Sequence, residues 1–148
     1  MSRRSQLDSV AHVTRERERT AARDLGDKRR RLDEEESRLR ELREHRRRYH
    51  QDLKAAGSRG LGVRQLNEYQ LFLSRLDQAI AQQEQMLTRC QQAYRRSQAA
   101  WMERRKEVKA IGKLVTRRAR QADHRRNRQE QAENDDRASQ RSGINPFN

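Results

Sequence analysis

Four histidines, one cysteine, a run of acids and a glycine cluster are the residues here whose types could do chemistry, and each lacks the companions that chemistry needs. His12, His45, His50 and His124 are scattered. His45 and His50 stand five apart, a poor fit to one helix face, and no thiol or carboxylate set completes a metal site around them. They read as solvated histidines on helix surfaces. Cys90 has no second cysteine for a disulfide or a metal, which fits a reducing compartment, and it reads as a small buried residue. "GSRGLG" at 57–62 lacks the lysine and following hydroxyl of a nucleotide cradle. "DEEE" at 33–36 follows "DKRRR" and reads as a solvated face of ion pairs along a helix. The expectation is a protein that is not an enzyme and uses no metal or other cofactor.

The chemistry left is charge. A formal net charge of +14 raises nucleic acid, acidic membrane and acidic protein surfaces as partners without choosing among them. "DKRRR", "REHRRRYH" and "ADHRRNRQ" could neutralise phosphates, so a nucleic-acid-binding basic coiled coil is the competing reading. Against it, the basic runs alternate with acidic ones and hold almost no aromatic side chains on which bases could stack.

The elements that must carry these residues follow from composition and period. With 31% hydrophobic and 39% charged residues the chain cannot fill a round core. Its abundance of alanine, leucine, glutamate, glutamine and arginine is that of long helices. From Leu66 to Val115, steps of three and four trace a heptad seam, apolar at every one of 73, 80, 87, 94, 101, 108 and 115. A second stripe runs through Leu7, Ala11, Ala21, Leu25, Leu32, Leu39, Leu42, Tyr49 and Leu53, diluted by Glu18, Lys28, Glu35 and Arg46. An antiparallel hairpin pairs residues of constant index sum, and at 119 it joins Leu53 to Leu66, Leu39 to Ile80, Leu32 to Leu87, Leu25 to Tyr94 and Ala11 to Val108. Gly57, Gly60 and Gly62 supply the backbone freedom to reverse the chain. The fold class expected is all-α, a long two-stranded antiparallel coiled-coil hairpin: a first helix over 1–56, roughly 78 Å long from about residue 5 to 56 at about 1.5 Å per residue, a turn at 57–62 and a second helix over 63–115.

Beyond residue 115 the seam fades to Ala119 and Ala122, so 116–138 is expected as a basic unpaired helical extension, ordered when bound. Residues 139–148 are expected as a disordered tail containing Gly143 and Pro146. Near the turn, Phe72, Ala79, Met86, Ala93 and Ala100 recur every seven residues beside the seam and widen its apolar face. Phe72 is the member best placed to meet a partner. No apolar run is long enough to span a bilayer, and "MSRRSQLDSVAH" lacks a signal-peptide core, which places the protein in the cytoplasm.

The stretch "RYHQDLKAAGSRGLG" followed by "NEYQLFLSRLDQAIAQQEQMLTRCQQAYRRSQAAWMERRKEVKAIGKL" closely resembles the FliJ family of the bacterial flagellar type III export apparatus, whose wider relatives include the stalk proteins of injectisomes. The resemblance covers essentially the whole chain and is most specific from Tyr49 to Lys113. It implies a hairpin similar to the central stalk of rotary ATPases. Such a stalk inserts its terminal end into the hexameric export ATPase and promotes its assembly. It also links the ATPase to the cytoplasmic domain of the export gate, a membrane protein, and exchanges with export chaperones. It further implies a location in the cytoplasm at the inner face of the flagellar base, on the membrane only through the apparatus, and no small-molecule substrate. The family's gate-binding surface is matched at Leu42, Tyr49, Phe72, Leu76 and Ala79. It is departed from at Arg38, His45 and Gln83, where the family more usually has glutamine, tyrosine and histidine. Contact with the ATPase is expected within Arg104 to Arg128, with Arg104, Arg105, Lys109, Arg117 and Arg118 as the contact residues.

Overall fold

The structure, a computed structural model, describes residues 3–144. Two helices, α1 (Arg3–Ser58) and α2 (Val63–Ile144), run antiparallel as a coiled-coil hairpin, with no strand among the described residues. Between them one residue carries the reversal. Gly60 adopts φ +90°, the left-handed region that side chains resist, and its N–H donates to the Gly57 carbonyl at 3.3 Å. Arg59 N–H donates to Ala56 at 3.2 Å, and Leu66 N–H opens the next helix by donating to Gly62 at 3.0 Å. The reversal therefore needs one glycine of the three expected: Gly57 stays within α1, and Gly62 takes no left-handed conformation. At the other end α2 continues through 116–138 and into the stretch expected to be disordered, because Ala138, Gln140 and Arg141 favour helix and Gly143 arrives only in the last turn. Residues 145–148 of that expected tail lie outside the described residues.

The chain divides into two packing units. In the first, Arg19–Glu103, every stripe position of α1 from Ala21 to Ala56 is buried or half-buried, and so is every seam position of α2 from Tyr69 to Trp101. Leu32, Leu39, Leu76 and Cys90 form its apolar core. The charged stripe positions are inside as well. Glu35, at 1% exposure, is the most buried side chain of the described residues, which corrects the expectation that "DEEE" is a solvated face. Asp33 fits that expectation, pairing with Arg29 at 3.3 Å in solvent. Glu35 instead falls on the stripe, where heptad spacing turns it toward α2. It is tolerated because its oxygens are answered: Arg31 lies at 3.2 Å and Arg38 at 3.0 Å, and the Gln83 amide donates both to its carboxylate and, at 3.1 Å, to its backbone carbonyl.

A second polar pair crosses the seam where the Ser97 hydroxyl donates to the Asp24 carboxylate at 2.7 Å. That bond, ahead of Lys28, holds the Asp24 pKa below the usual carboxylate range against partial desolvation. Its stabilising contribution is present above the unfolded carboxylate pKa and is lost as pH falls through the lowered value. Gln83 with Glu35 has an index sum of 118 and Ser97 with Asp24 one of 121, on either side of the 119 read from the stripes.

In the second unit, Met1–Glu18 with Arg104–Asn148, Leu7, Ala11, Thr14 and Glu18 turn inward, as do Arg104, Val108, Ile111 and Val115. Thr14, buried, donates its hydroxyl to the Ala11 carbonyl at 3.0 Å, and Arg118 donates to the Arg3 carbonyl at 3.3 Å. From residue 116 to residue 142 every side chain of α2 is exposed.

Three outcomes follow from this register. With Cys90 replaced by alanine, Leu32→Cys and Leu87→Cys should crosslink within one chain at low concentration; no bond, or only an intermolecular one, would overturn the pairing. Gln83→Ala should cost about 1–3 kcal/mol in denaturant melts by stripping a buried acceptor of its donor. The double change Glu35→Leu with Gln83→Leu should be neutral or stabilising. It should also admit shifted registers, read as mixed distances between spin labels on α1 and α2.

Candidate interaction surfaces

Heptad spacing leaves two flanks on a helical pair, and in the unit Arg19–Glu103 they differ in chemistry. On one, charges bridge the helices: Arg43 to Glu84 at 3.3 Å and Arg46 to Asp77 at 2.5 Å. On the other, rings do. Tyr49 of α1 packs on Phe72 of α2 with centroids 4.2 Å apart and on Tyr69 at 5.0 Å, and His45 tilts over Phe72 at 5.9 Å. These tilted contacts suit the ring quadrupoles. Partial burial raises the Tyr49 pKa, with Tyr69, Glu68 and Asp52 adding to the shift, so the phenol stays neutral at physiological pH.

Of the residues expected at the gate surface, Tyr49 and Phe72 are brought together directly, while Leu42, Phe72 and Ala79 are half-buried. Leu76 is buried at 8% exposure and serves the core. The three departures are tied into the same region. His45 covers Phe72, and Arg38 and Gln83 both bond Glu35. Tyr69 was legible only as a seam residue, yet it completes the ring cluster. A feature not anticipated is the outward pair Val63 and Leu71, 78% and 54% exposed, lining a shallow groove with Arg64, Asn67 and Glu68. Their eight-residue spacing off the seam was the available signal.

The basic runs divide by whether acids answer them. In "DKRRR", Lys28 pairs with Asp24, Arg29 with Asp33, Arg30 with Asp27 and Arg31 with Glu35. In "REHRRRYH", Arg46 pairs with Asp77, while Arg47 and Arg48 share Glu44 and hold its pKa down to about 2, the Arg47 hydrogen bond contributing most. Such exposed pairs add little stability, but they leave these runs much less charge to offer a phosphate backbone.

The second unit differs. Arg104 pairs with Glu107 at 3.2 Å, and Arg118 bonds the Arg3 carbonyl. Arg105, Lys109 and Arg117 are exposed with no carboxylate partner among the described residues. A shallow groove along α2 is lined by Lys109, Lys113, Arg117, Arg120, His124 and Arg128 and contains no acid.

No helix of the described residues is long and apolar enough to cross a membrane, and no metal-binding cluster of histidine, cysteine and acids occurs among them. No curated protein and no solved structure matches the chain significantly. The family model described as the flagellar FliJ protein matches residues 2–145. With that match spanning nearly all of a helical hairpin, the chain belongs to the FliJ family of flagellar proteins and is an export-related component of the flagellum.

Proposed function

We propose that this chain is a non-catalytic stalk of the flagellar export apparatus. It binds the hexameric export ATPase and promotes its assembly, links it to the cytoplasmic domain of the export gate, and helps exchange export chaperones. The observation that carries the reading is the family match over residues 2–145. Two features support the division of labour. The aromatic flank around Tyr49 and Phe72 suits a protein contact with an apolar centre. The basic segment Arg104 to Arg128, whose side chains beyond Val115 are all exposed, suits acidic groups within an ATPase ring. The stalk works in the cytoplasm and meets the membrane only through the gate. It acts by contact: without catalytic constellation or cofactor of its own, it changes the ATPase by stabilising the assembled ring.

The ATP hydrolysis rate of the same organism's export ATPase should rise on addition of the full chain and should not rise with a chain ending at Val115. Stimulation should also fall as salt is added, since exposed charges are screened over about 10 Å at 0.1 M. No stimulation across protein concentration and salt would overturn the ATPase role. For the gate, Phe72→Ala should weaken binding of the gate's cytoplasmic domain by about ten-fold or more while far-ultraviolet circular dichroism stays unchanged. Unaltered binding would remove Phe72 from the contact.

A further inference from the structure

Resting on the reading above, we infer that the ATPase contact is one defined face: the acid-free groove of α2 from Gly112 to Arg128 seats an acidic protein segment, which approaches most closely at Gly112. Three observations converge on this face. The first is direction. At about 100° per residue, Lys109, Lys113, Arg117, Arg120, His124 and Arg128 fall within one sector of α2 about 100° wide. That sector lies opposite the seam of Arg104, Val108, Ile111 and Val115 that turns inward. These cations therefore face away from α1 and are not consumed in holding the hairpin.

The second is charge. No carboxylate among the described residues pairs with Lys109, Lys113, Arg117, Arg120 or Arg128; of their neighbours outside the sector, Arg104 pairs with Glu107 and Arg126 with Asp123, while Arg105 is unpaired but faces another way. The expected contact set is thereby redrawn: Arg104 and Arg118 are occupied within the chain, Arg105 lies outside the groove, and Lys113, Arg120 and Arg128 join Lys109 and Arg117.

The third is Gly112, which lines the same groove beside Lys109, Lys113 and Thr116. A glycine inside a helix is less stable than alanine, and here the chain gains nothing visible for it. Gly112 is not in the left-handed region, and a methyl group built on it would meet nothing within 4 Å. Gly26 has the same open space, but it sits beside the Asp24 to Lys28 pair and not in an acid-free groove. Thr116 donates its hydroxyl to the Gly112 carbonyl at 3.0 Å, which keeps its side chain down and the notch open. A missing side chain at the edge of a row of unanswered cations is what a close-approaching acidic chain would use.

Protein is favoured over nucleic acid because residues 102–142 contain no phenylalanine, tyrosine or tryptophan on which bases could stack.

The test measures binding of the full chain to the same organism's export ATPase at two salt concentrations. One variant carries Lys113→Gln, Arg117→Gln and Arg120→Gln. A second, of equal net charge, carries Arg126→Gln, Arg137→Gln and Arg141→Gln. Because exposed charge pairs each contribute little, the groove variant should bind about ten-fold more weakly and lose much of the salt dependence, while the second changes about two-fold at most. Equal losses would mean that charge is sensed diffusely and would overturn the inference. Gly112→Ala should raise the melting temperature and weaken binding together; a raised melting temperature with unchanged binding would overturn the notch. Wild-type chain that does not bind the ATPase at all fails the underlying reading instead. A short random-sequence DNA duplex whose binding depends on the same three groove residues, with ATPase binding unaffected, would assign the face to nucleic acid and overturn the proposal.

Discussion

The pairing of two polar helices along a seam too thin to hold them by apolar burial alone is the constraint on which the rest depends. Neither helix has the composition to stand by itself in water, so each takes its stability from the stripe it shares with the other. That stripe contains Lys28, Glu35 and Arg46 among its leucines, and Glu35 and Arg46 reach across to Gln83 and Asp77, which ties the pairing to one register. An apolar heptad seam accepts a slip of seven residues with little complaint. Glu35 does not. Moved by seven, it would face Leu76 or Cys90 in place of Gln83 and lose the amide that answers both its carboxylate and its carbonyl. The Asp24 to Ser97 bond imposes the same choice further along. Polar layers of this kind trade stability for register.

Much of this was legible because heptad spacing is a long, redundant signal. Two independent stripes agreed on an index sum of 119, and the observed cross-helix bonds fall on both sides of it. What was not legible depends on a single side chain's surroundings. Glu35 sits in a run that looks solvated, and only the stripe phase, applied to a charged residue, turns it inward. The three glycines of the turn look equivalent in sequence, yet backbone geometry needs left-handed φ at Gly60 alone. Leu76 was legible as a seam position, and its burial at 8% exposure places it in the core. Helix persistence to Ile144 went unread because a fading seam removes tertiary support without removing local propensity.

The same pairing also sorts the surface. Arginines near the seam of the unit Arg19–Glu103 are drawn into pairs with Glu84, Asp77, Glu44 and Glu35, so a strongly basic composition presents far less free charge there than its net value suggests. What that unit leaves exposed on one flank is aromatic and aliphatic, with Phe72 held between Tyr49 and His45. A ring fixed by its neighbours loses little further freedom on binding, which makes it a better anchor than an equally exposed mobile side chain.

The part of α2 beyond its partner follows the opposite logic. With every side chain from 116 to 142 exposed, no packing holds that helix, and its order rests on propensity and on close pairs such as Arg126 with Asp123. An interior glycine at 112 weakens the approach to it further. A partner that neutralises the outward cations therefore does two things at once: it forms charge-assisted contacts, and it removes the repulsion among Lys109, Lys113, Arg117 and Arg120, stacked three or four residues apart on one face. Binding and helix order are thus coupled in this segment, and salt acts on them in opposite senses: it weakens the contact by screening the attraction, and it supports the helix by screening the repulsion among its cations.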